Sequence, residues 1–211
     1  KGYPKVKRIG VCIHRPLRHA IFCLGAVLVA AVVGVVAQTP SPSVRVFDAN
    51  GDAVEPLAAS GARAIVFVFT ATDCPISNRY APEVRGLYER FAPRGVAFWL
   101  VYADPSDSAE AIQRHIQEFD YPLTPLRDSQ HALVKLTGVR VTPEAAVFVP
   151  GADGPRLVYR GRIDDLYVDF GKARAKPTTR DLERVLETIL AGTTPRLQTT
   201  PAVGCFIPKL P

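Results

Sequence analysis

What the sequence lacks narrows it first. No phosphate-binding glycine loop, no Gly-x-Ser-x-Gly elbow and no basic-aromatic surface pattern occurs in its 211 residues. Phosphoryl transfer, α/β-hydrolase chemistry and nucleic-acid binding are therefore not its first readings. His115 and His131 stand at no metal-ligand spacing from each other or from cysteine. The four cysteines, Cys12, Cys23, Cys74 and Cys205, form no Cys-x-x-Cys pair, which excludes a dithiol cycle inside one short motif. Internal repeats and low-complexity tracts are absent as well. Acid is missing from residues 1–19, whose six Lys and Arg account for the whole net charge of +6; the other 20 basic residues are matched by 20 acidic ones.

That basic leader runs into Ala20 to Ala37, eighteen residues without a charge, and then into Gln38, Thr39, Pro40, Ser41 and Pro42. Basic, apolar and small-residue regions in this order predict a signal peptide over 1–37, with cleavage after Ala37 and a linker over 38–43. The rival reading is an uncleaved membrane anchor over 20–37, since eighteen apolar residues reach the length of a short span. Both readings export the globular part to a periplasmic or other extracytoplasmic compartment. Cys23 lacks the preceding small residue of a lipoprotein signal. With Cys12 and Cys23 set aside, Cys74 and Cys205 remain in an oxidising compartment, where they can make one disulfide.

Past the linker, Ser43 to Phe47 reads as a short strand. Ala64 to Thr70 is an unbroken apolar, β-branched and aromatic run, the pattern of a strand covered on both faces. Pro75 to Phe91 carries Tyr80, Val84, Leu87, Tyr88 and Phe91 at helical spacing, so Cys74 is expected at a strand-to-helix turn. A second buried strand is expected from Gly95 to Tyr102, with Trp99 as core, and a helix from Ser108 to Phe119 capped by Ser106 or Ser108, with His115 on its solvated face. A short strand, Tyr121 to Leu126, and a short helix, Ser129 to Leu136, follow. Glu144 to Val149 and Leu157 to Arg162, separated by Pro150-Gly151-Ala152-Asp153-Gly154, predict an antiparallel hairpin. Asp164, Asp165 and Asp169 read as an acidic loop facing water, and Thr178 or Thr179 as the cap of a last helix, Arg180 to Leu190. Together these elements predict an α/β protein with a central mixed sheet and helices on both faces, its ligand edge at the carboxyl ends of the parallel strands. Cys74 falls at that edge.

A thiol of ordinary pKa is only about 3% ionised at pH 7. At a helix amino terminus the unpaired N–H groups and the helix dipole favour the thiolate, and Pro75 fits the first turn because it has no N–H to satisfy. A lowered pKa is the condition for attack on a disulfide or a peroxide; the alternative is a buried, inert cysteine. Arg140 and Arg162 read either as reaching the pocket or as surface residues.

Two motifs, Thr72-Asp73-Cys74-Pro75-Ile76-Ser77-Asn78 after an apolar strand and Val141-Thr142-Pro143 before another, resemble the thioredoxin-like superfamily. The resemblance is to its redoxin and peroxiredoxin-like branch, the alkyl hydroperoxide reductase and thiol-specific antioxidant type, and covers residues 44–192. It implies a thioredoxin-like fold, a cis peptide before Pro143, and a substrate site that includes Thr72, Pro75, Thr142 and Pro143. It also implies no cofactor. Three departures stand out. Ser77 replaces the second cysteine of thioredoxins, Ala71 replaces the threonine that precedes the peroxidatic cysteine, and Thr70 replaces the first cysteine of the related copper-delivery proteins. Exported bacterial redoxin-domain proteins with Cys-Pro and a late Gly-Cys are a looser likeness, through Phe98 to Tyr102 and Arg160 to Asp165.

Cys205, in Val203-Gly204-Cys205-Phe206-Ile207 within a tail over 193–211, is the second thiol. It reads either as the residue that resolves a sulfenic acid or mixed disulfide on Cys74, or as half of a structural bridge. Closing 131 residues of separation would stabilise the fold by about 5 kcal/mol through lost unfolded-chain entropy. The expected activity is that of a thiol oxidoreductase acting on a protein disulfide or a small hydroperoxide, with an external thiol as reductant and no nucleic-acid partner. A membrane enters only through an uncleaved leader. The alternative is a non-catalytic binding module that captures Cu(I) or a partner protein.

Overall fold

The computed structural model of the protein describes residues 44–59 and 61–210. The expected leader, its cleavage site, the linker, Cys12 and Cys23 lie outside the described residues. The elements are β1 (Val46–Asp48), β2 (Ala53–Val54), β3 (Ala64–Thr70), α1 (Pro75–Phe91), β4 (Val96–Tyr102), α2 (Ala109–Phe119), β5 (Thr124–Arg127), α3 (Ala132–Thr137), β6 (Val141–Thr142), β7 (Glu144–Val149), β8 (Arg156–Gly161), β9 (Tyr167–Asp169), β10 (Lys172–Ala173), α4 (Asp181–Leu190), β11 (Gln198–Thr199) and β12 (Cys205–Phe206).

Eight of the strands make one mixed sheet in the order β11-β8-β7-β3-β4-β5-β1-β2. The central strand β3 is buried along its whole length, as its apolar run requires. It runs parallel to β4 from Ala64↔Val96 to Thr70↔Tyr102 and antiparallel to β7. Alternation along β3 divides the core in two. Val66 and Val68 face Leu87, Phe91, Ile112 and Leu186, which come from α1, α2 and α4. Ile65, Phe67 and Phe69 face the other way, toward Leu126, Phe148 and Leu133 of α3. Helices therefore cover both faces of the mixed α/β sheet, and Trp99 packs against the second cluster.

Local chemistry sets the boundaries. Ser108 caps α2, its hydroxyl accepting from the Ala111 amide at 3.1 Å, and Asp120 in a left-handed conformation ends it. The strand expected from Ser43 starts at Val46, and the one expected from Tyr121 starts at Thr124, after Pro122. The helix expected from Ser129 begins only at Ala132, because His131 is left-handed, with φ of 57°. The cap expected at Thr178 or Thr179 is not made. Arg180 holds the capping position without a side-chain bond, because Thr178 and the Thr179 amide are drawn to Asp165 and the Thr179 hydroxyl donates to Asp181.

The tail contributes structure that periodicity did not reveal. β11 extends the sheet as a parallel edge strand beside β8 (Gln198↔Tyr159), and β12 pairs antiparallel with β6 (Cys205↔Thr142). Among the described residues no helix is long and apolar enough to cross a membrane.

Candidate active site

β3 ends at Thr70, and four residues later Cys74 occupies the capping position of α1, with extended backbone. The Ser77 amide donates to its sulfur at 3.5 Å and the Asn78 amide to its carbonyl oxygen at 3.0 Å, the first bond of the helix. The thiol itself thus takes the place of a capping oxygen, where an anion is favoured. Across from it the chain passes through Thr142-Pro143, whose peptide bond is cis. The Thr142 carbonyl oxygen lies 3.1 Å from Cys74 Sγ. β12 then closes the site from outside and brings Cys205 Sγ to 2.7 Å from Cys74 Sγ, leaving Cys74 with 0% exposure.

The two sulfurs are electrostatically unlike. Burial pushes the Cys74 thiol up, but hydrogen bonding by Cys205, Ser77 and Thr142 outweighs it, and the net shift is downward from the ordinary 9.0. Burial, the hydrogen bond to Cys74 and the negative charges of Cys74 and Asp73 push Cys205 up to about 12. The two thiols are thus unequally acidic, Cys74 the more acidic and Cys205 the less.

Of the residues the sequence pointed to, Cys74, Thr142, Pro143 and Cys205 come together. Pro75 is exposed on the first turn of α1. Thr72 turns away, its hydroxyl donating to Asp107 Oδ1 at 2.5 Å. Arg162 pairs with Asp181 at 2.8 Å, and Arg140 is exposed on a groove beside Cys205. Neither arginine is a source of the downward shift at Cys74.

Two expectations about polar residues are corrected. His115 does not face solvent; it is 3% exposed, with Nδ1 2.8 Å from Tyr102 Oη and Nε2 2.8 Å from Asn78 Oδ1. Burial lowers its pKa, so the neutral ring accepts from the tyrosine and donates to Asn78, fixing the first turn of α1. Asp164 and Asp165 are buried, not solvated. Asp164 accepts from Tyr80 of α1 at 2.5 Å. Asp165 gathers the Thr178 hydroxyl and the Thr178 and Thr179 amides, which with Arg174 hold its carboxyl well below the usual range. Helix amphipathicity could not flag His115, because its polar partners arrive from α1 and β4. Asp169 is exposed as expected.

A cysteine capping the helix after a central strand, set against a cis-proline turn, defines a thioredoxin-like thiol site. The chain belongs to the AhpC/TSA family, which it matches over residues 37–155, and is thereby one of the thiol-dependent redoxins. Among solved structures, a conserved protein from Geobacillus kaustophilus is similar at 24% identity and TM-score 0.66, over 82% of this chain and 92% of that one. A protein from Sinorhizobium meliloti follows at 22% identity and TM-score 0.65, over 77% and 88%. The thioredoxin domain of a thiol-disulfide oxidoreductase from Bacteroides vulgatus matches at 15% and 0.51, over 72% and 96%. These likenesses show the fold. No curated protein matches the chain.

Proposed function

We propose that this chain is an exported thiol-disulfide oxidoreductase that cycles Cys74 and Cys205 between dithiol and disulfide. The observation that carries the reading is the pair of sulfurs 2.7 Å apart with opposite pKa shifts. The Cys74 thiolate attacks a substrate disulfide, forming a Cys74–substrate disulfide and releasing one substrate thiolate. Cys74 then carries no charge. Two of the influences that hold Cys205 protonated, the hydrogen bond to Cys74 and its charge, disappear with it. Cys205 gives up its proton, attacks Cys74 Sγ, closes the intramolecular disulfide and releases the second substrate thiol.

A strand paired on β6 with its cysteine opposite Thr142 supports a polypeptide disulfide as substrate, because β12 already occupies that place in this manner. Membership of the AhpC/TSA family favours a second oxidant, a hydroperoxide. In that case Cys74 becomes a sulfenic acid, and Cys205 condenses with it to the same disulfide and water.

The test is a peptide map of the reduced protein after one equivalent of either oxidant. The expected product is the Cys74–Cys205 disulfide. Cys74→Ser should remove oxidant consumption, and Cys205→Ser should accumulate the mixed disulfide or the sulfenic acid. Reduced thiols that react no faster than free cysteine would sink the proposal. Stoichiometric Cu(I) uptake by both thiols would then favour the binding module.

A further inference from the structure

The two sulfurs differ in access as well as in charge. Cys74 is sealed, whereas Cys205 is half-buried and lines a groove of about 940 Å³ that Cys74 does not line. That volume lies within the range of sites for small molecules, roughly 300–1,000 Å³. Arg140, Glu144, Arg160, Phe170 and Phe206 share the groove with it. Its charges are not equivalent. Arg160 lies 3.8 Å from Glu144 and donates to the Gly138 carbonyl oxygen, and Glu144 accepts from the Arg140 and Val141 amides. Asp169, also on the wall, pairs with Lys172 at 3.3 Å. Among the described residues the Arg140 guanidinium enters no ion pair, and it is exposed. Phe170 and Phe206, 65% and 83% exposed, supply apolar walls.

We propose that this groove receives the reductant, a small thiol bearing a carboxylate, and that the reductant enters the cycle at Cys205 and not at Cys74. The inference rests on the dithiol–disulfide reading above. In the oxidised protein the incoming thiolate forms a bond to Cys205 Sγ. The Cys74–Cys205 bond breaks, and its electron pair leaves on Cys74. A second reductant thiolate attacks the sulfur of the first, releasing Cys205, which takes up a proton. Two thiols are thereby oxidised to one disulfide, and the protein disulfide gains two electrons. The capped position of Cys74 also suits it as leaving group, since the thiol of lower pKa leaves faster. Arg140 meets the carboxylate and acts as a positioning residue.

The test uses the oxidised full chain with glutathione, which carries two carboxylates, and with 2-mercaptoethanol, which carries none. Reactions are quenched in acid at early times, alkylated in denaturant and mapped by mass. Expected is glutathione on Cys205 with alkylated Cys74. Arg140→Ala should slow reduction by glutathione roughly two- to fivefold, the scale of an exposed ion pair, and leave 2-mercaptoethanol unaffected. The first adduct on Cys74 would overturn the entry point while leaving the dithiol cycle standing. An unchanged glutathione rate in Arg140→Ala, or an equal slowing of both thiols, would overturn the carboxylate assignment alone. An oxidised protein with no Cys74–Cys205 disulfide would bring down both this inference and the reading beneath it.

Discussion

The strand that carries Cys74 to the site and the strap that carries Cys205 are built by different physics. β3 is paired along its full length with β4 and from Ile65 to Phe69 with β7, and is buried on both faces. The strap is attached through two strands of two residues each, with Thr200 and Ile207 at its anchors. Packing of large apolar side chains holds the first, and a few hydrogen bonds together with the partly buried Val203, Cys205 and Ile207 hold the second. Cys74 thus sits on the rigid side, and Cys205 on the side that local opening can release.

Substitutions on the two sides should separate global from local stability. Phe67 is fully buried and meets Phe148 edge to face at 5.8 Å. Phe67→Ala should cost about 3–5 kcal/mol of global stability in urea denaturation. A loss under 1 kcal/mol would contradict the packing account. Gly204→Ala should act only on the strap. A Cβ there would stand 2.1 Å from the Thr142 carbonyl oxygen and 2.6 Å from its carbon, both backbone atoms. Overpacking of about 1–3 kcal/mol, roughly 5- to 150-fold in the closing equilibrium, should appear as iodoacetamide labelling of Cys74 faster by that factor, with a loss in urea unfolding no larger than the same roughly 1–3 kcal/mol. Labelling equal to the wild type would show that β12 does not seal the thiol.

The same division explains what could be read from sequence. β3 and α1 match their expected limits, because one apolar run of β-branched and aromatic residues and one stripe at helical spacing each encode a buried element. Cys74 at their junction followed directly. β11 and β12 were not legible, since two-residue strands in a segment rich in Thr and Pro have no period to detect; their pairing is dictated by β8 and β6. Gly204 next to Cys205 was visible, but its reason, the close passage over Thr142, is a tertiary fact. Asp164 and Asp165 misled for a related cause. Acidic residues in a loop normally face water, and their burial depends on Tyr80, Thr178 and Thr179 converging from elsewhere.

Proton linkage should expose the contrast between the two thiols at intermediate size. Cys74 has a folded pKa below 9.0, so between that value and 9.0 the unfolded state binds more protons and stability rises with pH. Cys205 is raised to about 12, so above 9.0 the unfolded state binds fewer and stability falls. The reduced protein should therefore show a thiol-dependent maximum near pH 9, with a slope of at most about 1.4 kcal/mol per pH unit for one proton. Urea midpoints from pH 7 to 11, compared with a Cys74→Ser/Cys205→Ser double variant, measure it. A difference curve that is flat with pH would mean that the thiols do not interact unequally.

The gentlest change asks how far the opening unit reaches. Thr200 Oγ1 lies 2.6 Å from Tyr159 Oη and accepts the Arg162 amide at 3.2 Å, while the Thr200 amide donates to Arg160 at 3.1 Å. Thr200→Val keeps the backbone bond and removes the hydroxyl, at a cost of about 1 kcal/mol, roughly fivefold in an opening that includes this anchor. Tyr159 retains its bond to the Arg162 carbonyl oxygen at 2.6 Å, while the Arg162 amide loses its acceptor. Cys74 labelling should accordingly quicken about fivefold, less than in Gly204→Ala. If Gly204→Ala speeds labelling and Thr200→Val does not, the moving part starts beyond Thr200, and residues 201–206 alone lift from β6 to uncover Cys74.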